Sequence, residues 1–95
     1  MEDNVIFVGK KNFISYIKGV ETVFEINNKL KEVIIKARGK LINKAVDLAT
    51  SIDKQNFCKD LKLKITKIEI GSSEHKVEGR DKPLMVSIIE ITLIK

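Results

Sequence analysis

Cysteine, histidine and proline each occur once in this 95-residue chain, and tryptophan does not occur. The lone Cys58 cannot form an internal disulfide, so the fold must stand on its core, and a cytoplasmic home is expected. His75 is the single histidine and lies far from Cys58 in sequence, so a Cys–His dyad would need the two to meet across the fold. HExxH, CxxC and DxDxDG are absent, which removes any sequence basis for a metal site. The acids sit at salt-bridge spacings, such as Glu21 and Glu25 near Lys18 and Lys29, and not as paired carboxylates for acid–base work. An enzyme is therefore not expected, and no cofactor is implied. No apolar run approaches the ~18 residues of a membrane-spanning helix. The N-terminal MEDNVIFVGKK starts acidic and lacks the basic region and cleavage site of a signal peptide, so no membrane association is expected. Aromatics number five, four Phe and one Tyr. None falls in a basic strand as a base-stacking pair would, so stacking is not expected as the main binding mode. Phe7 fits a strand, and Phe13 and Phe24 fit the core stripe of a helix.

What the chain does have is positive charge, unevenly placed. The net charge is +5. Between Lys10 and Lys44 stand nine Lys/Arg against three acids, +6, which leaves −1 for the rest. A basic first half suits a polyanion, whether nucleic acid, an acidic protein or a membrane surface, although Lys-rich chains also carry charge for solubility alone.

The hydropathy pattern predicts one domain over 1–95. Val5–Val8 is a short apolar run ending at Gly9 and reads as a central strand buried on both faces. Asn12 is a good N-cap. Phe13, Ile17, Val20 and Phe24 recur at helical spacing, with Ile14 and Val23 widening the stripe, so the first helix is predicted at 13–27. Val33–Ile35 is a second buried strand, broken by Gly39. Leu41, Ala45, Leu48 and Ile52 predict a second helix at 40–55. Leu61, Leu63 and Ile65 alternate, and then the phase slips to Ile68 and Ile70, which predicts a β-bulge near Thr66–Lys67. The polar stretch from Gly71 to Pro83 separates this strand from a last one, Leu84–Ile94. It reads as a long hairpin arm with its tip at Glu78–Asp81. The expected fold is an α/β two-layer sandwich of βαβαββ order: a mixed four-stranded sheet with two helices on one face. The last strand is apolar on both parities, more than one covered face needs, which points to a dimer.

Two glycine-containing turns stand out. Gly9-Lys10-Lys11 leads from the first strand into the first helix, and Ala37-Arg38-Gly39-Lys40 leads from the second strand into the second. Parallel pairing places both at one edge of the sheet. Helix N-termini present unpaired N–H groups and partial positive charge, which suits phosphate. Acids normally favour these first turns, yet Lys10, Lys11, Lys40 and Lys44 stand there, which costs stability unless an anion arrives. The arm adds His75, Lys76, Arg80 and Lys82. A two-stranded ribbon with a basic tip can probe a nucleic-acid groove, although Glu74, Glu78 and Asp81 nearly balance its charge.

The segments IFVGKKNFISYI, EVIIKARGKLINKAVD and KITKIEIGS, with the EGR of the arm, resemble the Alba family of archaeal chromatin proteins. The likeness runs from Asn4 to Lys95, and IKARGKLINKAVD is its most specific block. The resemblance implies a fold like the C-terminal domain of bacterial translation initiation factor three. It implies a homodimer that binds and condenses double-stranded DNA, and binds RNA too, with little sequence preference, its dimers packing side by side. The matching binding residues are Lys10, Lys11, Lys36, Arg38, Lys40, Asn43 and Lys44, with Arg80, flanked by Lys76 and Lys82, at the arm. The lysine pair includes the family's acetylation site, for which Lys10 is the candidate, and Phe57 resembles an aromatic used in dimer–dimer packing. Asn12 stands where many members have Pro, and Lys40 replaces an arginine, losing bidentate phosphate geometry. The implied location is cytoplasmic and chromosome-associated. Two alternatives stay open: a protein that stabilises or processes RNA, and a small regulatory domain holding a phosphorylated metabolite at the two turns.

Overall fold

The computed structural model describes residues 4–27, 29–76, 78–79 and 81–95. Its order is β1 (Val5–Phe7), α1 (Phe13–Ile26), β2 (Glu32–Arg38), α2 (Ile42–Asp53), β3 (Lys64–His75) and β4 (Leu84–Ile94), with short 3-10 turns at Gly39–Leu41 and Lys59–Leu61. The four strands form one mixed sheet in the order β1-β2-β4-β3. β1 runs parallel to β2, while β4 is antiparallel to both β2 and β3. This is the expected α/β sandwich, with both helices on one face.

Strand periodicity explains the sidedness. Val33, Ile35 and Ala37 of β2 and Ile89, Ile91 and Leu93 of β4 are buried together with Ile17, Val20 and Phe24 of α1 and Ala45, Leu48 and Ile52 of α2. The alternate residues, Ile34, Lys36, Ile88 and Glu90 among them, face the open side of the sheet. Asn12 caps α1 as its residue type requires, its Oδ1 accepting from the Ser15 N–H at 2.9 Å.

Four expectations need correction. β1 is a three-residue edge strand and not a central one, because β2 takes β4 as its second neighbour. Phe7 lies on the face the helices leave open, beside Lys36, and is 72% exposed. β2 runs the full seven residues to Arg38, so it alternates between faces and carries Lys36 and Arg38 as strand residues. Helix two begins as a 3-10 turn at Gly39, whose φ of 58° only glycine adopts at little cost, and its α-helical part starts at Ile42. β3 starts at Lys64, because Lys59–Leu61 forms a turn, while the arm is the two-stranded ribbon expected, with β3 paired to His75 and β4 from Leu84.

The bulge falls where the phase slip placed it, between Ile65 and Lys67. Its effect is to keep Ile65, Ile68 and Ile70 on the helix side of the sheet, opposite Leu93, Ile91 and Ile89. There the helices cover Ile65 but not the residues further along the arm, so Ile68 is 58% and Ile70 82% exposed. The long ribbon stretches the molecule to 50 × 25 × 24 Å.

Candidate nucleic-acid interface

Two basic turns and the arm meet at one end of the sheet. β1 and β2 are parallel, so the Gly9–Lys11 and Arg38–Lys40 turns leave from adjacent carboxyl ends, and the Val8 N–H extends their ladder to the Lys36 carbonyl at 2.8 Å. β4 runs the other way, with Ile88 opposite Arg38, so residues before Ile88 lie beyond the end of β2. The arm therefore projects from the same end as both turns. A Cβ built on Gly39 would stand 3.7 Å from Val86 of the arm's base.

Lys10, Lys11, Arg38, Lys40 and Asn43 are all exposed at this end, and neither helix has an acid in its first turn. Lys76 and Lys82 are exposed on the arm, where Gly79 makes the tip with φ 85°. Arg80 lies outside the described residues. Lys36 is half-buried on the open face, where Glu90 holds its ammonium at 2.9 Å and the Phe7 ring lies 5.8 Å away.

The two turns differ in a way the residues alone did not foretell. The first is already satisfied internally. The phenolic oxygen of Tyr16, a buried residue of α1, accepts from the Gly9 N–H at 2.6 Å and the Lys11 N–H at 3.1 Å. Lys44 donates to the carbonyls of Gly9, at 3.1 Å, and of Lys11, and lies 5.2 Å from the Tyr16 ring. Its charge thus ties α2 to the first turn. The second turn opens a helix that has no side-chain cap. Of the two expected amide cradles, the first is closed by Tyr16 and Asn12, so anions meet it through the Lys10 and Lys11 side chains. Tyr16 was missed, although it is the only tyrosine and sits one residue from the α1 stripe, where a buried hydroxyl needs partners.

Phe57 packs its ring on Phe13, with centroids 5.5 Å apart, and borders a groove of about 550 Å³ with Glu21, Glu25 and Asp60. Cys58 and His75 have separate partners: the thiol faces Glu21 at 3.9 Å and the imidazole Nε2 faces Ser73 at 2.9 Å. Burial, and then the Glu21 carboxylate, push the Cys58 thiol up from about 9 to about 11. Two units leave about a hundredfold less thiolate at pH 8 than in the unfolded chain. A thiolate of higher pKa is the stronger nucleophile and offsets part of this, so reaction with a disulfide reagent at that pH is expected to slow by about tenfold in the folded protein, measured against the same chain in urea. Because folding retains this proton, its contribution to stability is complete below pH 9 and declines as pH rises through 11. Cys58→Ala is expected to flatten that alkaline decline in urea titrations, and an unchanged decline would reject this origin.

The chain is thus a two-layer α/β sandwich with a basic strand-end edge and a projecting two-stranded arm. The Alba family model matches residues 4–72, and the chain belongs to that family. The protein named DNA/RNA-binding protein Alba from Thermoplasma volcanium is 45% identical over 92 residues, spanning 97% of this chain and 96% of that one. Its namesake from Methanococcus maripaludis is 40% identical over 94 residues, spanning 98% and 99%. A solved structure of Alba from Thermoplasma volcanium superposes with a TM-score of 0.75 at 38% identity, over 97% of this chain and all of that one. Among the described residues no helix is long and apolar enough to cross a membrane.

Proposed function

We propose that this protein is an architectural nucleic-acid-binding homodimer. It binds double-stranded DNA, and RNA as well, with little sequence preference, and is cytoplasmic and chromosome-associated. The observation that carries this reading is the convergence of both basic turns and the arm on one end of the sheet. Names borne by relatives over nearly the full chain support both polymers.

Lys10, Lys11, Arg38 and Lys40 supply phosphate contacts, Asn43 adds a neutral donor, and Lys76, Arg80 and Lys82 extend the contact along a groove. Lys36 and Lys44 act at one remove: Lys36 from its pairing with Glu90, Lys44 as the clamp between turn and helix. Acetylation of Lys10 would remove one of the exposed charges at the edge. With roughly six phosphates per dimer, log K against log salt is expected to slope about −5 on duplex DNA. Lys11→Ala and Arg38→Ala are each expected to weaken all sequences alike and to lower the slope by about one for every phosphate no longer neutralised. A slope near zero for the wild type would reject the reading. Competition between duplex DNA and structured RNA at fixed salt decides which polymer dominates.

The exposed isoleucines support the dimer. Ile68 and Ile70 stand on the helix side of the sheet, and Ile70 shares a groove of about 500 Å³ with Ile42 of α2. An apolar patch of this kind on a natural chain suits a second copy across a two-fold axis. Phe57, at the edge of its own groove, is the candidate for contact between neighbouring dimers on DNA.

A further inference from the structure

Phe7 stands on the open face at the end of the edge strand, opposite Lys36, and is 72% exposed. A groove of about 580 Å³ lies beside it, lined by Lys10, Lys36, Arg38, Ile88 and Glu90 among others. A bare aromatic ring flanked by cations has a specific chemistry: its face accepts a flat π-system, while the charges accept an anion attached to it. Glu90 holds Lys36 beside the ring and adds negative charge there, so the ring side of the groove favours an uncharged group. The exposed Lys10 and Arg38 remain for a phosphate.

We infer that Phe7 and this groove form a site for an unpaired nucleotide, with the base stacked on the Phe7 ring and its phosphate held by Lys10 and Arg38. The inference rests on the nucleic-acid-binding reading and adds a mode distinct from it. Bases inside a duplex are already stacked and cannot reach the ring, so the site takes single strands, loops or frayed ends. The same edge then serves duplex through phosphates alone, and single strands through phosphates together with a base.

Fluorescence anisotropy with a labelled oligothymidine and a labelled duplex at one salt concentration tests it. Phe7→Ala is expected to weaken the single strand by about tenfold, in the range of base–aromatic stacking. The same change is expected to leave the duplex within about twofold and its salt slope unaltered, and Phe7→Tyr to restore the single-strand affinity. With the wild-type protein, an oligomer of the same length lacking its bases is expected to bind about tenfold more weakly than oligothymidine. Equal losses on both polymers in Phe7→Ala, no loss on either, or equal binding of the abasic oligomer would each overturn the stacking site while leaving phosphate binding in place. Wild-type protein that binds neither polymer would overturn the proposed function itself. A Phe7 that serves a protein partner instead would show as no loss on either polymer.

Discussion

Ile70→Glu is expected to turn the proposed dimer into a monomer without unfolding it. Ile70 is 82% exposed in the single chain, so within the protomer the substitution removes almost no packing. The dimer proposed above would bury this position, and two-fold symmetry would place a second copy of the change in the same interface. Two uncompensated carboxylates there raise the dimer dissociation constant by about a thousandfold or more. Sedimentation at micromolar protein would then show one chain, with a Tm close to that of dilute wild type. The consequence for nucleic acid is as large. Each protomer offers one basic end, so losing the partner halves the phosphates contacted, and the salt slope falls from about −5 to about half of that. Losing the second, linked basic end lowers duplex affinity by about a hundredfold. A variant that stays dimeric places the interface elsewhere, and a monomer that keeps full affinity and slope rejects the two-ended binding mode.

The contrast between Ile70 and Phe7 shows what a sequence of this kind reveals. The slip from Ile65 to Ile68 and Ile70 was legible because strand side chains alternate with a period of two, and a change of parity has few causes besides a bulge. The helices were legible from their stripes, and Leu84–Ile94 from its apolar run. Phe7 was misread because an apolar run tells of burial but does not count a strand's neighbours. VIFV suits a central strand as well as an edge, and the choice depends on where β4 inserts. The arm was legible as a hairpin, but how far its pairing runs was hidden for the opposite reason. In a ribbon exposed on both faces Gly71–Ser73 is polar throughout, so no hydropathy period marks it as strand. At the basic edge the cations were visible from their spacing around Gly9 and Gly39. Their division of labour was not, since whether a lysine meets a phosphate or a carbonyl depends on which backbone groups the fold brings near. Lys44 and the carbonyls of Gly9 and Lys11 are more than thirty residues apart in sequence.

That division of labour yields the second large effect. Tyr16→Phe keeps the ring that fills the core beside α1 and that faces the Lys44 ammonium, and removes only the oxygen that accepts from Gly9 and Lys11. Leaving a part-buried amide without its partner costs about 2 kcal/mol. For a domain of this size that lowers Tm by roughly 10 °C. Lys44→Met keeps the aliphatic stem and removes the donor to the two carbonyls, so it is expected to lower Tm in the same direction. Both variants loosen the turn that carries Lys10 and Lys11, and both are expected to bind duplex DNA more weakly while contacting the same number of phosphates, leaving the salt slope near about −5. Arg38→Ala is expected to do the reverse, lowering the slope while leaving Tm nearly unchanged, because its side chain is exposed and caps no helix among the described residues. The pair of readouts separates a residue that shapes the site from one that touches the ligand. If Lys44→Met lowers the slope as Arg38→Ala does and leaves Tm alone, then Lys44 leaves the carbonyls to meet a phosphate when nucleic acid binds, and the clamp is only a resting position.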